Sequence, residues 1–428
     1  MTSPDNQSAS DSPLAEPPGS GTPLPGAHRA ADVGALLIAG LSGALVAATL
    51  GAVQYSTTAD EAHYLSYARW LGQEGIGSYR ELVEGYVADS TRWLYPNPLR
   101  MAFLGLSTLW TGVRGASFRA LSELSLAAHL LTLGCGYVFL RRSLGNPRAL
   151  LVTALLAFSP LWLALARRAL QDSTATLASV LVIWSFWEAV QAPQVRARRL
   201  LFMLAFGVGI LVKETTVLLA IPLAAWALLE RSRGRAPLPL GSLALALLLP
   251  GAACMALWLW VAGDPGVLLR LFEIILFSPE TNPHAQKFGG GPWYRYWIDF
   301  LLLSPWPTLL AIGGVGALLL RSGRVERDAA LVYLALILAG LLLGYSAFTK
   351  NVRYVAVLEL PLRALAAYAL WEVFAARSPR FRVPACALVV ALLCWLDYQT
   401  FQLIFVQHGL YDPVSTPLLA VRGLLPPE

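Results

Sequence analysis

The chain has 428 residues, 56 % of them hydrophobic and 14 % charged. Soluble domains carry nearer 25 % charged residues, so a soluble globule is excluded. The net charge of +6 comes mostly from arginines in short loops, which beside recurrent apolar runs reports membrane topology rather than a nucleic-acid partner. Cys135, Cys254, Cys386 and Cys394 sit inside apolar runs without disulfide or zinc spacing and read as small core residues.

The N-terminal stretch is rich in Pro, Ser, Gly, Asp and Glu and lacks an apolar run, so residues 1–32 are expected to be a disordered cytoplasmic tail. It also lacks the basic start and short apolar core of a cleavable signal. The run 33–53 is therefore expected to be a retained first membrane helix. Further candidate spans lie at 118–140, 148–166, 173–190, 199–212, 215–229, 238–262, 299–320, 328–348, 353–375 and 384–405. Pro98 to Val113 is apolar too and about as long as a short span. If that segment does not cross, the basic loops Arg141–Arg148, Arg196–Arg199, Arg231–Arg235, Arg321–Arg327 and Arg377–Arg382 all fall on one side, as the positive-inside rule requires. The expected fold is thus an all-α polytopic bundle of about 11 membrane helices spanning 33–405. Its N-terminus is inside, with a first outer loop at 54–117 that carries interfacial helices, a second at 263–298, and an outer C-terminal tail at 406–428.

The outer face then collects polar residues that loops alone would not require. An acidic pair, Asp60-Glu61, follows the first span directly, with His63 and Tyr64 behind it. An acid in the first turn of a helix gains about 0.3–1 kcal/mol from the helix dipole. That accounts for one acid, not for two acids and a histidine where the chain leaves the bilayer. Asp172 opens a later span, Lys213 interrupts an apolar stretch, and Arg353 opens another span. Singly these read as a cap, a snorkelling lysine and an interfacial anchor. Together, acids and cations on one face suit an anionic, membrane-delivered ligand, the cations meeting a phosphate and the acids a hydroxyl proton. Asp60 is the expected general base, with Glu61 and Asp172 beside it. Asp60 and Glu61 could also hold a hard divalent ion through carboxylate oxygens; no other cofactor is indicated. In the second outer loop, 265–277 is expected to be an interfacial helix. The stretch 278–292, with Gly289-Gly290-Gly291 and His284, is expected to be a mobile lid, followed by the aromatic belt Trp293, Tyr294, Tyr296 and Trp297.

Four stretches resemble the GT-C superfamily of membrane glycosyltransferases, in the branch of bacterial relatives of dolichyl-phosphate-mannose protein mannosyltransferases and aminoarabinose–lipid A transferases (glycosyltransferase family 39-like). They are Thr58-Ala59-Asp60-Glu61-Ala62-His63-Tyr64, Tyr95-Pro96-Asn97-Pro98-Leu99, Ala166-Arg167-Arg168-Ala169-Leu170-Gln171-Asp172 and Leu211-Val212-Lys213-Glu214-Thr215. The stretches Gly291 to Tyr296, Ser304-Pro305-Trp306 and Lys350 to Tyr354 resemble later signatures of the same family. Asn97 departs from the pattern, standing where some relatives have a phosphate-contacting lysine or a histidine, and His63 stands where some have an arginine. The resemblance implies a polyprenyl-phosphate sugar donor and an inverting transfer to an acceptor hydroxyl (protein, lipid or glycan), at the outer face of a bacterial inner or plasma membrane. It implies Asp60, Glu61 and Asp172 as catalytic acids, and a substrate-binding set of His63, Tyr64, Asn97, Lys213, His284, Trp293, Tyr294, Arg295, Arg353 and Tyr354. The competing readings are a transporter or flippase for a lipid-linked sugar, for which Asp397 inside the last span is the best residue, and a non-catalytic subunit that binds such a lipid.

Overall fold

The structure is a computed structural model that describes residues 25–57, 59–93, 95–235, 239–281, 289–320, 328–375 and 378–409. All regular structure among these residues is helical. The first long helix, α1 (Pro25–Thr49), leads into three shorter ones: α2 (Asp60–Glu74), α3 (Tyr79–Ala88) and α4 (Met101–Arg114). The bundle continues through α5 (Phe118–Leu144), α6 (Asn146–Ala157), α7 (Pro160–Ala166), α8 (Asp172–Gln191), α9 (Arg196–Val212), α10 (Ala220–Ser232) and α11 (Leu240–Ala262). It ends with α12 (Pro265–Thr281), α13 (Arg295–Leu303), α14 (Pro305–Leu320), α15 (Ala329–Ser346), α16 (Glu359–Val373) and α17 (Pro379–Phe401).

Among the described residues, eight helices are long and apolar enough to cross a membrane, or nine if α6 and α7 form one broken span. The remaining expected crossings are α9, of 17 residues, and α14, of 16, both short of the usual length. Two expected spans are interrupted, and proline is the reason in each. α6 and α7 bend by 59° where Ser159 precedes Pro160. The run 299–320 divides at Ser304, ahead of Pro305. A residue before proline is pushed out of the helical region, and proline has no N–H to continue the ladder. α4 has 14 residues, about 21 Å at 1.5 Å per residue, less than a hydrocarbon core. It is not among the helices long enough to cross. The expected 265–277 helix extends to Thr281. Residues 1–24, residues 282–288 of the 278–292 stretch with His284, the basic loop 321–327 and the tail from 410 lie outside the described residues.

Buried polar contacts tie the helices together. Ser42 on α1 donates to the carbonyl of Ala157 at 2.7 Å and meets His129 Nε2 on α5 at 2.9 Å. Trp187, Trp226 and Tyr333 join α8, α10 and α15 with ring centroids 5.3–5.8 Å apart, and Tyr333 donates to the carbonyl of Ile183. α14 passes so close to α16 that a Cβ on Gly314 would lie 2.3 Å from the carbonyl oxygen of Leu365.

Charge divides the bundle into two ends. At one, Glu188 pairs with Arg142 at 3.2 Å and Arg198 at 3.0 Å, Asp328 lies 3.7 Å from Arg148, and Arg148 and Arg382 both sit over the Trp371 ring. These are the arginines that the positive-inside rule gathers. The other end carries α2, the start of α8, the break after α9 and the 3-10 turn Val352–Leu358.

Candidate functional site

Asp60 and Glu61 occupy the first turn of α2, where carboxylates suit the exposed N–H groups. Neither caps the helix, since Ala59 is the N-cap residue, and the two side chains diverge. Glu61 is fully buried and accepts four hydrogen bonds: two from Arg168 (2.8 and 2.7 Å), one from the Ala169 N–H (3.1 Å) and one from the Ser56 N–H (3.1 Å). Asp60 is more open, its side chain 29 % exposed, and its Oδ2 lies 3.2 Å from Arg353 Nη2.

Asp172 begins α8 four residues after Arg168 and is buried. Lys213 reaches it because α9 stops at Val212, leaving Lys213 extended before the 3-10 turn Glu214–Leu219. Gly209 permits that tight reversal, for a Cβ there would lie 2.9 Å from Thr216 Cγ2. The Lys213 ammonium donates to Asp172 Oδ1 at 2.9 Å and lies 4.7 Å above the Tyr354 ring. Arg353 Nη1 is 3.9 Å from Asp172 Oδ2, so Arg353 stands between the two acids. Asn351 aims it, its Oδ1 accepting from the Arg353 N–H (3.0 Å) and Nε (3.4 Å). The array therefore runs Asp60, Arg353, Asp172, Lys213, two carboxylates and two cations in alternation.

A second network flanks this array. Arg100, at the start of α4, donates from Nε and Nη2 to Glu214 at 3.2 and 3.0 Å and from Nη1 to the Tyr64 hydroxyl at 2.6 Å. Asn97 Nδ2 donates to the same carboxylate at 3.2 Å, while its Oδ1 accepts from the Leu99 N–H. Three phenols hold the proline-rich turn by its carbonyls: Tyr86 donates to Tyr95, Tyr67 to Pro96 and Tyr79 to Pro98. Burial pushes the Tyr67 phenol up to about 12, which keeps it a donor. His63 stacks on Tyr95 with centroids 3.8 Å apart. Burial lowers its pKa below the ordinary histidine value, against the pull of Asp60 and with help from Arg92.

The structure thus brings together Asp60, Asp172, Lys213, Arg353 and Tyr354, with Tyr64 and Asn97 held on the Arg100–Glu214 pair. Trp293 and Tyr294 are 65 % and 46 % exposed and pack edge to face on each other. Arg295 bonds the carbonyl of Gly290 and lies 3.9 Å from Asp299. These three belong to the 289–299 segment, which joins the site's neighbourhood through Ser346 donating to the Trp293 carbonyl and the Lys350 N–H donating to that of Gly289. Arg100, Glu214 and Arg168 are absent from the sequence-derived set of site residues. For Glu214 the available signal was its place beside Lys213, and for Arg168 its place in the stretch that ends at Asp172.

A divalent ion does not fit the Asp60–Glu61 pair. Glu61 is already met by four N–H donors, and Arg353 already lies where a cation would meet Asp60. Among the described residues no group of three or more His, Cys, Asp or Glu has metal-holding geometry.

Residues 98–260 match the family model described as dolichyl-phosphate-mannose-protein mannosyltransferase. No curated protein matches the sequence. Among solved structures, ArnT from Cupriavidus metallidurans bound to undecaprenyl phosphate is 17 % identical, with a TM-score of 0.51 over 93 % of this chain and 79 % of that one. The Archaeoglobus fulgidus oligosaccharyltransferase in complex with zinc and sulfate is 14 % identical, with a TM-score of 0.53 over 85 % of this chain and 52 % of that one. AglB from the same organism, with an inhibitory peptide and a dolichol-phosphate, is 13 % identical, with a TM-score of 0.51 over 86 % and 55 %. The matched family segment runs from the Pro98 turn to the end of α11 and includes Arg100, Arg168, Asp172, Lys213 and Glu214. That segment is similar to the mannosyltransferase family model, and the chain as a whole shares its fold with those membrane glycosyltransferase structures.

Proposed function

We propose that the chain moves a sugar from a polyprenyl-phosphate donor to an acceptor hydroxyl, with inversion, at the extracytoplasmic face of a bacterial plasma membrane. One observation carries this reading: Arg353 is shared between Asp60 and Asp172, with Lys213 on the far side of Asp172. Transfer from a lipid monophosphate raises the charge on the leaving phosphate from −1 to −2. The acceptor oxygen bonds to the anomeric carbon as the bond from that carbon to the phosphate oxygen breaks, and the acceptor proton passes to Asp60. Asp60 thereby loses its charge just as the phosphate gains one. Arg353, 3.2 Å from Asp60, is then released toward the phosphate, where a preorganised cation stabilises the developing charge. Lys213 supplies the second cation. Burial against Asp172 and Tyr354 keeps it poised without water.

Glu61 has a different role in this reading. It joins the start of α2 to the bend before α8, so it sets the spacing of Asp60 and Asp172 and touches no substrate. Tyr64, oriented by Arg100, and His63 line the donor side. The lipid carriers of the ArnT and AglB structures and the family's description support a lipid-phosphate donor. The acid-bearing end is read as extracytoplasmic because the basic loops gather at the other.

The test uses purified protein in liposomes with a polyprenyl-phosphate sugar labelled in the sugar. Release of free polyprenyl phosphate coupled to acceptor labelling supports the transferase. Movement of intact donor across the bilayer without its cleavage would instead establish the flippase reading. Binding of the donor with neither would leave a lipid-binding subunit. The anomeric configuration of the product checks inversion.

A further inference from the structure

At the same end of the bundle, a cleft of about 450 Å³ opens between the start of α14 and the end of α17. Its lining includes Trp306, Asp397, Gln399, Thr400, Leu403 and Gln407. α17 is otherwise a lipid-facing helix, with Leu388, Leu392 and Trp395 each more than half exposed, as is Leu403 just beyond its end. Polar side chains on such a face are costly unless a polar group meets them.

Behind the cleft two carboxyl groups share one guanidinium. Asp397 Oδ1 accepts from Ser304 Oγ at 2.7 Å, its Oδ2 accepts from Arg363 Nη1, and Arg363 Nε donates to Glu359 Oε2 at 2.7 Å. Arg363 and Glu359 are fully buried, and Arg363 Nη2 and Glu359 Oε1 lack hydrogen-bond partners. Any charge left unpaired there sits in a medium that solvates it poorly. A carboxylate offers about four lone-pair sites. Asp397, 2 % exposed, accepts from Ser304 and Arg363, and it lines the cleft. Trp306, 56 % exposed, presents an indole at the rim, a surface that attracts cations.

We propose that this cleft binds a membrane lipid with an ammonium headgroup. The ammonium sits toward Asp397, Gln399 and Thr400 take the phosphate ester and glycerol oxygens, and the acyl chains follow the exposed leucines of α17. The cleft volume lies within the range of small-molecule sites. The site is separate from the Asp60 array. It nonetheless connects to that array: Arg167 donates to the carbonyl of Phe405 in the π-helical turn Gln402–Gln407, while its neighbour Arg168 clasps Glu61.

The experiment is native mass spectrometry and thermal melting of the full chain with phosphatidylethanolamine, phosphatidylcholine or phosphatidylglycerol at equal mole fraction. Phosphatidylethanolamine is expected to bind at least about tenfold more tightly than phosphatidylglycerol, or about 1.4 kcal/mol, and to raise the melting temperature. Equal gain from phosphatidylcholine would make the recognised chemistry any ammonium; gain from phosphatidylethanolamine alone would make it a primary one. The double variant Gln399→Leu, Thr400→Leu fills the cleft without touching the Arg363 network, and it is expected to abolish the preference while leaving the phosphatidylglycerol baseline unchanged. Asp397→Asn removes the anchor and is expected to do the same if it folds. Equal binding of all three lipids, a preference that survives the double variant, or a cleft closed by a second copy with no lipid dependence would each overturn the proposal.

Discussion

Replacing Glu61 by glutamine isolates the clasp between α2 and α8. The carboxylate is fully buried and accepts four bonds, two from Arg168, whose side chain is only 10 % exposed. Glutamine keeps the shape but offers one accepting oxygen, and its amide turns donors toward donors. Breaking a buried pair on one side costs about 3–5 kcal/mol, because the remaining charge is left in a poor solvent. For a chain of this size that is a fall of roughly 5 °C or more in melting temperature. The assay is thermal unfolding in detergent for Glu61→Gln, Arg168→Met and the double variant. The double variant is expected to lose much less than the two single losses together, with a coupling of about 2 kcal/mol or more. Donor turnover is expected to fall in all three through the rate of the bound complex, since Asp60 is displaced relative to Asp172. A Glu61→Gln melt within a degree of wild type, or strictly additive losses, would refute the clasp.

Further expectations follow from other contacts. Lys213→Met leaves buried Asp172 with Arg353 at 3.9 Å in place of an ammonium at 2.9 Å. Donor turnover should drop by two orders of magnitude or more, roughly the effect of one lost transition-state donor, in labelled-donor assays. Burial holds the His63 pKa below its ordinary 6.5, so on acidification the unfolded chain takes up that proton before the folded one. Stability should therefore fall as pH drops below about 6.5, and His63→Gln should flatten that part of the melting profile. A Cβ on Gly314 would lie 2.3 Å from the Leu365 carbonyl, whereas one on Gly313 meets nothing within 4 Å. Gly314→Ala should thus cost about 1–3 kcal/mol by overpacking, with Gly313→Ala the neutral control in the same melts.

Apolar runs made most helices legible, because a membrane segment must bury its own backbone bonds and shows its length directly. The breaks were less legible: Pro160 and Pro305 stand inside continuous apolar stretches, and hydropathy does not register a missing N–H. Asp60, Asp172, Lys213 and Arg353 were recoverable because charge beside a bilayer is costly without a partner. Their alternation was not, since Asp60 and Arg353 are 293 residues apart. Glu61 reads in the sequence as a second catalytic acid beside Asp60; that it turns toward Arg168, 107 residues on, is not visible there, because sequence shows adjacency and not direction. Arg100 resembles an ordinary anchor ahead of an apolar helix, and nothing local reveals Glu214 beside it. Trp293 and Tyr294 read in the sequence as part of an aromatic belt, and in the fold they are exposed and pack edge to face on each other.

The central claim is that Asp60 takes the acceptor proton while Arg353 and Lys213 receive the phosphate. It is tested most directly by Asp60→Asn, assayed for release of polyprenyl phosphate from a labelled donor by purified protein whose melting temperature matches wild type. The account expects donor binding to persist and turnover to fall by about two to four orders of magnitude, the usual contribution of a positioned base. Turnover near the wild-type rate would contradict it.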